Sequence, residues 1–364
     1  MNNKIYRFKQ KMTVTDPLRV FFLCGTKFIQ KDPNDKRKVL KKHIESKYKE
    51  NYKAIILEEN FIFGKTNKNY LSYDKIFMKN LKDIELLTGL YSDKIFIIHE
   101  SISTAAELGM FASDEKLLKK TCLITPDSFS MEEDKLSSFI RLAFFHNKSL
   151  EENIRNITFY PKVKENIVSN SKTDYYTYFP KNKIPKNLAL KIDTFIKEND
   201  TKNLEIVFKK NRYNKKFTGA NIISYYFTNT NLNVVISSEA IRILLISIFS
   251  LKHFKAKIRK CSTIIKTVDT LETEFKLLIT NSISEIEAID FSSHKINISI
   301  DISPLNLRTV IGYFLYLLQA LDMIKLPVKE QSEFVQIHSQ FTNLLFNYSN
   351  TIEEISKSKL TDIL

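Results

Sequence analysis

The sequence is poor in cysteine, with three cysteines among its 364 residues. Cys24, Cys122 and Cys261 are far apart, odd in number and form no Cys-x-x-Cys pair. These features argue against a disulfide framework and against a structural zinc site. They are typical of a protein that works in a reducing environment, so we expect it in the cytoplasm.

The sequence also lacks long apolar segments. The longest, over residues 309–321, is shorter than the roughly 20 residues that a membrane-spanning helix needs, and it predicts a buried helix instead. A secretory signal has an apolar run after its basic residues, and residues 1–10 contain no such run. We therefore expect neither secretion nor a membrane partner.

Motifs of several enzyme classes are missing. The six histidines include no His-Glu-x-x-His motif and no cluster with cysteine, so no metal site is expected. There is no Gly-x-x-x-x-Gly-Lys-Ser/Thr phosphate loop and no Gly-x-Ser-x-Gly nucleophile elbow. These absences argue against P-loop nucleotidases and α/β-hydrolases, and no cofactor is expected.

Positive charge is plentiful, with a formal net charge of +15. A basic surface attracts polyanions such as nucleic acid, because binding releases counterions. Two runs, at 209–216 and 252–260, interleave cations with aromatic residues, which suits the backbone and bases of a nucleic acid strand. An ordinary solvated surface is the alternative for each run. The candidate contact residues are Lys209, Lys210, Arg212, Lys255, Lys257, Arg259 and Lys260.

The N-terminal part shows the pattern of an α/β fold. Apolar segments at 18–23, 52–57, 94–98 and 121–124 predict strands, and helical patterns separate them. Strands that are apolar on both faces and alternate with helices indicate a parallel sheet. We therefore predict a Rossmann-like or flavodoxin-like parallel sheet with surrounding helices.

The second half is predicted to be mainly helical, with short strands at 204–208 and 295–301. A winged helix is one alternative for this part. The predicted divisions are an N-terminal arm at 1–17, an α/β domain at 18–160, a linker region at 161–203 and a mainly helical domain for partners or nucleic acid at 204–364.

Candidate site residues follow the predicted strands. Cys24-Gly25-Thr26 follows the first strand, Glu58 the second, and a loop over 100–107 the third. In parallel sheets, ligands bind outside the carboxyl ends of the strands, where a glycine lets a ligand approach the backbone. A helix predicted over 108–120 would begin next to Glu107, and its dipole would favour the ionised carboxylate. His99 is more simply interpreted as a packed strand-end residue than as a catalyst.

The motifs at this edge resemble those of nucleoside 2-deoxyribosyltransferases. Leu23-Cys-Gly-Thr26 matches their first strand and loop, Glu85 and Asp93 match the acids before the third strand, and Thr104-Ala-Ala-Glu107-Leu-Gly109 matches their Glu-aliphatic-Gly signature. The chain is also similar to the deoxyribosyltransferase-like effectors encoded beside the reverse transcriptase of some bacterial retrons, in Phe22-Leu-Cys-Gly25, Glu100-Ser101 and Glu107-Leu-Gly109-Met-Phe111. The resemblance covers about residues 18–125.

The resemblance implies cleavage of an N-glycosidic bond, with Glu107 as the nucleophile at the anomeric carbon and Glu85 as a second catalytic residue. Retron effectors of this kind imply NAD as the substrate, anti-phage defence as the role, and the reverse transcriptase with its RNA–DNA product as partners in a larger complex. The residues implied to bind substrate are Cys24, Gly25, Thr26, Glu58, Asp83, Ser101, Ser103, Thr104 and Gly109.

Two other functions fit parts of the sequence. A metabolic nucleoside 2-deoxyribosyltransferase would use the same edge, but such enzymes are close to one small domain in size and leave the second half unexplained. A nucleic-acid-binding module without catalysis would use the basic runs and would be indifferent to substitution of Glu107.

Overall fold

The computed structural model describes residues 4–25, 35–60, 81–127, 156–169, 171–198, 200–211, 219–301, 303, 305–327 and 334–355. Its strands are β1 (Ile5–Phe8), β2 (Lys11–Thr15), β3 (Arg19–Cys24), β4 (Tyr52–Ile55), β5 (Lys94–Ile98), β6 (Thr121–Pro126), β7 (Ile157–Tyr160), β8 (Val163–Ser169), β9 (Ser171–Thr177), β10 (Asn203–Lys210), β11 (Ile222–Phe227), β12 (Asn231–Ile236), β13 (Lys295–Ile300), β14 (Ile324–Lys325), β15 (Gln336–Ile337) and β16 (Ile352–Ile355). Its α-helices are α1 (Lys36–Lys47), α2 (Leu57–Asn60), α3 (Leu81–Tyr91), α4 (Ile102–Ala112), α5 (Glu115–Lys119), α6 (Lys186–Lys197), α7 (Ser238–Ile248), α8 (Lys252–Ile258), α9 (Ile264–Glu287), α10 (Leu307–Ala320) and α11 (Ser339–Leu345).

The chain forms two compact units. One contains Arg19–Tyr70 and Ser92–Asp200, and we call it the parallel-sheet unit. The other contains Met1–Leu18, Leu71–Tyr91 and Thr201–Leu364, and we call it the mixed-sheet unit. The boundaries of these units differ from those of the predicted domains, because three separate segments of the chain form the mixed-sheet unit.

The parallel-sheet unit is built on five parallel strands in the order β4-β3-β5-β6-β7. In chain order this is the 2-1-3-4-5 arrangement of flavodoxin-like folds. β3, β5 and β6 are buried along their whole length, which explains why they appear in the sequence as continuous apolar runs. The predicted parallel sheet and its α/β class are therefore confirmed.

Helices cover both faces of this sheet. Phe21, Leu23 and Phe96 belong to a buried cluster with residues of α1 and α6, and Phe96 meets Phe195 of α6 edge-on at 5.5 Å. Phe22 points to the opposite face, because successive strand side chains alternate. There it meets Phe111 of α4, with the ring centroids 6.0 Å apart. The result is a sheet between two helical layers.

The mixed-sheet unit contains a second five-stranded sheet, in the order β13-β12-β11-β10-β2, in which β10–β11 and β12–β13 are parallel. The helices predicted for the C-terminal part are present around it. The predicted strands at 204–208 and 295–301 correspond to β10 and β13. β11 and β12 were not predicted, so this part is richer in strands than the sequence indicated. β13 alternates between exposed and half-buried residues, as its sequence predicts.

The segment predicted to be an N-terminal arm is instead structured. β1 pairs with β16, and β2 pairs with β10 over Lys11–Thr15. Only Met12 and Val14 of β2 are buried, so the strand has too few apolar residues to stand out in a polar sequence. The predicted linker region likewise contains the β8–β9 hairpin and α6, whose apolar face enters the core of the parallel-sheet unit.

α3 packs within the mixed-sheet unit, although it precedes β5 in the chain. The Thr88 and Tyr313 hydroxyls form a hydrogen bond, and the Tyr91 hydroxyl donates to the Val310 carbonyl at 2.8 Å. Arg242 of α7 donates to the Tyr91 carbonyl. The apolar periodicity of α3 predicted a helix but carried no information about which surface it covers. No helix in the described ranges is long and apolar enough to cross a membrane.

Candidate active site

The carboxyl edge of the parallel sheet is the expected ligand site. The strand order reverses between β3 and β5, and ligands of such sheets bind in the crevice at this reversal. Gly25 follows β3 at this point, and His99 and Glu100 follow β5. Cys24 is buried at the end of β3, whereas Thr26 lies outside the described residues.

Gly25 and Glu58 both lie next to the side chain of Arg37 in α1. A Cβ at position 25 would lie 3.0 Å from the Arg37 Cδ atom. Arg37 is 2% exposed, and its guanidinium donates to Glu58 at 2.9 Å and to Asp35 at 3.4 Å. Burial disfavours the charged guanidinium, but Glu58 and Asp35 outweigh burial and raise the Arg37 pKa. Glu58 therefore pairs with Arg37 at the start of α1, beside the carboxyl end of β3.

α4 begins earlier than the sequence predicted. Its first residue is Ile102, so the segment expected to be a loop up to Glu107 is mostly helix, and Glu107 lies in the second turn. Small residues of high helix propensity, Ala105 and Ala106, explain the early start. The dipole of a helix acts mainly within its first turn, so the predicted effect of the dipole on Glu107 is wrong.

Thr104 fixes the junction between β5 and α4. It is fully buried, and its hydroxyl accepts from the Ser101 N–H at 3.2 Å and donates to the Ser101 carbonyl at 2.6 Å. Its oxygen also lies 3.1 Å from His99 Nδ1. The Ser101 and Ser103 hydroxyls form a hydrogen bond of 2.7 Å, and the Ser103 side chain is exposed. Thr104 is thus a positioning residue, while Ser103 can reach a ligand.

Glu107 is half-buried and lies on α4 one turn before Phe111. Phe111 packs on Phe22 in β3. Glu107 lies one turn nearer to the start of α4, and therefore nearer to the carboxyl edge of the sheet. Ser103 precedes it by one turn on the same side of the helix. Gly109 has no atom within 4 Å of an added Cβ, so no close approach in the described structure requires glycine there.

A charged cluster that the sequence did not reveal lies at the same edge. Lys36, the first residue of α1, donates to the Glu100 carboxylate, and the Lys162 ammonium lies 3.9 Å from the same oxygen. The Tyr178 ring lies beneath both ammonium groups, 5.9 Å from Lys36 and 5.3 Å from Lys162. Burial, and then the charge of Lys162, lower the pKa of Lys36 to about 7.

Asp83 and Glu85 lie on α3, which belongs to the mixed-sheet unit, whereas Glu107 belongs to the parallel-sheet unit. The packing within a single unit therefore does not place these acids beside Glu107. Their sequence position just before β5 was the reason for expecting them at the site. Among the described residues, no group of His, Cys, Asp and Glu side chains is arranged to hold a metal ion.

The basic candidates lie in the mixed-sheet unit, apart from Arg212, which is outside the described residues. Lys209 and Lys210 end β10, and Lys210 pairs with Glu287 and lies 4.4 Å from the Phe227 ring centroid. Lys255 and Lys257 are on α8, where Lys257 pairs with Glu274 at 3.0 Å. Burial, and then Arg259 and Lys252, lower the Lys255 pKa. Arg259 and Lys260 follow α8 and are exposed.

Comparison with protein families gives a match over residues 33–326 to the family described as "STM3845 retron effector protein". The chain belongs to this retron effector family. The match includes Glu58, Glu107 and the basic residues on β10 and α8, so it spans parts of both units. As a retron effector, the protein is associated with a retron system, which confirms that part of the expected role. A comparison with curated proteins finds no match.

Proposed function

We propose that this retron effector is an N-glycosidase of the deoxyribosyltransferase-like type, which cleaves the bond between base and ribose in a nucleotide. NAD is the proposed substrate, and nicotinamide and ADP-ribose are the products. The observation that carries the proposal is the position of Glu107, half-buried on the helix after β5 and displaced toward the carboxyl edge of the parallel sheet. Membership of a retron effector family supports a role in anti-phage defence.

The proposed chemistry has two steps. The Glu107 carboxylate attacks the anomeric carbon, and the electron pair of the N-glycosidic bond moves to the nicotinamide nitrogen, which leaves as a neutral base. Water then cleaves the glycosyl ester, which releases ADP-ribose and a proton and restores the carboxylate. A carboxylate suits this reaction because the transition state resembles an oxocarbenium ion, and the covalent intermediate divides one difficult step into two.

Other residues have supporting roles in this proposal. The exposed Ser103 hydroxyl is available to a sugar oxygen, and Thr104 keeps Ser101 and Ser103 in place at the helix start. Roles for Asp83 and Glu85 in holding sugar hydroxyls stay predictions. No metal or resident cofactor takes part in the proposed reaction.

Control of the proposed activity would fall to partners. An enzyme that destroys NAD harms the cell that makes it, so its activity must be restrained until infection. We propose that the retron reverse transcriptase and its RNA–DNA product bind the basic residues of the mixed-sheet unit in the cytoplasm, within a larger complex. Lys209, Lys255 and Arg259 are suited to this because phosphate neutralisation dominates nucleic acid affinity.

The test is chromatography of NAD incubated with the purified effector, alone and with its reverse transcriptase and reverse-transcribed DNA. Wild-type protein is expected to release nicotinamide, and Glu107→Gln to abolish release in vitro and toxicity in cells. Glu115→Gln is the matched control, because Glu115 is an exposed carboxylate on the neighbouring α5 and pairs with the exposed Lys119. Intact NAD with wild-type protein and equal toxicity of Glu107→Gln would contradict the proposal. Base exchange between deoxynucleosides would support the transferase alternative instead.

A further inference from the structure

β13 lies at one end of the five-stranded sheet in the mixed-sheet unit, where it pairs in parallel with β12. The Lys295 N–H donates to the Thr230 carbonyl at 2.9 Å, so the backbone of Lys295 faces the rest of the sheet. The backbone groups of successive residues in such a strand point to opposite sides. The N–H and carbonyl groups of Ile296 and Ile298 therefore point away from β12, out of the sheet.

These outward groups are open to another strand. In the part of the chain that the structure describes, no group forms a hydrogen bond with the backbone of Ile296 or Ile298 on this side. At the end of β13, the Ile300 carbonyl accepts from the Ser303 N–H at 3.3 Å and keeps a second lone pair. A row of unpaired backbone groups at a sheet edge is a template for a strand of another chain.

A groove of about 610 Å³ gives room for such a strand. Residues 296–299 of β13 line it, together with side chains of β12, α9 and the start of α10, among them Lys276 and Arg308. Successive strand residues point to opposite faces, so a groove lined by four consecutive residues reaches the edge of the strand and not one face alone. The open backbone groups and the groove therefore coincide.

The sequence at this edge is complementary to itself in the antiparallel direction. It begins with the cation Lys295 and ends with the carboxylate of Asp301, directly after β13. In a two-fold pairing centred on Ile298, Lys295 of each copy lies opposite Asp301 of the other. Residues with outward backbone groups then meet, with Ile298 opposite Ile298 and Ile296 opposite Ile300. This is the arrangement in which paired residues of antiparallel strands exchange hydrogen bonds.

The same register matches the side chains. On the more buried face of β13, isoleucine lies opposite isoleucine at all three positions. On the exposed face, Asn297 lies opposite Ser299 and Lys295 opposite Asp301. The Asp301 carboxylate accepts from the Ser238 N–H at 3.0 Å, and this neutral donor leaves its negative charge in place. A shift by two residues would place Lys295 opposite Ser299 and separate the charges.

We infer that β13 is an interface between two copies of this chain, whose mixed sheets join edge to edge in the antiparallel direction around Ile298. Backbone hydrogen bonds provide the attraction, and the opposed side chains fix the register. The inference concerns assembly, so it stands whether or not the protein is an N-glycosidase.

Sedimentation of the full-length protein over a concentration series tests the interface. The wild type should form a concentration-dependent dimer. Lys295→Glu turns both favourable charge pairs into repulsive ones and should weaken the dimer roughly tenfold. Lys202→Glu is the matched control, because Lys202 is exposed and precedes β10, three strands away from β13. A monomeric wild type, or equal effects of the two substitutions, would overturn the interface.

Cysteine cross-linking tests the register. The paired Cα atoms at position 298 would lie about 5.5 Å apart, within the range of a disulfide, so Ile298→Cys should link two copies under mild oxidation. Asn297→Cys should stay unlinked alone but should link to Ser299→Cys in a mixture, because these two positions lie opposite each other. The native cysteines are buried and provide the background. Linkage of Asn297→Cys alone, or none at Ile298→Cys, would contradict this register.

The same cross-link distinguishes the second copy from another partner. With the reverse transcriptase present, Ile298→Cys should still join two effector chains. A link to the reverse transcriptase in place of the second copy would assign the edge to that protein and overturn the inference. A dimer that releases no nicotinamide would contradict the proposed N-glycosidase alone, and release by a strictly monomeric wild type would contradict the interface alone.

Discussion

The side chain of Arg37 occupies the space that a side chain at Gly25 would need. An added Cβ would lie 3.0 Å from Arg37 Cδ and 3.3 Å from both Cγ and Nε. Arg37 in turn holds Glu58 through a 2.9 Å hydrogen bond. The glycine at the end of β3 thus permits an internal ion pair, in addition to any access that it gives to a ligand.

Gly25→Ala is therefore expected to destabilise the protein. Displacing the buried Arg37 should lower the free energy of unfolding by about 1–3 kcal/mol, the usual range for overpacking. Urea denaturation measures this change. Gly109→Ala is the matched control, because nothing lies within 4 Å of its added Cβ and alanine favours a helix by roughly 1 kcal/mol over glycine. Equal effects of the two substitutions would contradict the role of Arg37.

Thr104→Val keeps the shape of the side chain but removes its hydroxyl from the junction between β5 and α4. We expect a loss of about 1–3 kcal/mol in the free energy of unfolding, because half-buried groups at Ser101 and His99 lose a hydrogen bond to this hydroxyl. Thr194→Val on α6 is the control, since that exposed hydroxyl bonds only the Leu190 carbonyl of its own helix. A change at Thr104 no larger than at Thr194 would show that the junction does not depend on this hydroxyl.

Lys36 is expected to make stability depend on pH. Burial first, and then Lys162, lower its pKa from 10.5 to about 7, so the unfolded chain binds more protons at Lys36 between these values. The contribution of Lys36 to the free energy of unfolding therefore rises with pH through this window and is constant outside it. Denaturation of the wild type and Lys36→Met at stepped pH should show the difference shifting toward the wild type above pH 7. A flat difference for Lys36→Met would refute the pKa shift.

Arg259 and Lys260 provide a test of nucleic acid contact, because both are exposed beyond α8. If both contact phosphates, replacing them with glutamine should weaken single-stranded DNA binding and reduce the slope of log affinity against log salt by about 1.4. Fluorescence anisotropy across a salt series measures the slope. Lys119→Gln with Lys191→Gln, two exposed lysines of the parallel-sheet unit, should leave it unchanged. An unchanged slope for the Arg259 and Lys260 variant would exclude these residues from the interface.

The sequence predicted the parallel sheet because burial on both faces leaves an uninterrupted apolar run, as in β3, β5 and β6. The pattern of β2 is weaker, since only Met12 and Val14 face the core. Its pairing with β10 depends on residues nearly two hundred positions away, as shown by the register of Thr13 with Glu205. Pairing at such a separation leaves no local signal.

The candidate site could likewise be predicted only where its residues follow a recognisable strand, and not where distant segments supply them. The order of Gly25, Glu58 and Glu107 after successive strands placed them on one edge. The start of α4 was predicted too late because Ser101 to Thr104 contains no acidic capping residue. Lys162 and Tyr178 lie on either side of the β8–β9 hairpin, and this hairpin falls within the segment predicted as a linker region.

The division of the chain also determines the order in which the units become complete during synthesis. The last residue of the parallel-sheet unit is Asp200. The mixed-sheet unit also needs β16, which pairs with β1, and Tyr348, whose hydroxyl accepts a hydrogen bond from the Leu18 N–H. At ribosomal rates of about 5–20 residues per second, this delay is on the order of 10–30 s. The unit that carries Glu107 is therefore fully synthesised before the unit that carries the basic residues. A newly made effector would pass through an interval in which the partners that we propose for the mixed-sheet unit have no complete unit to bind.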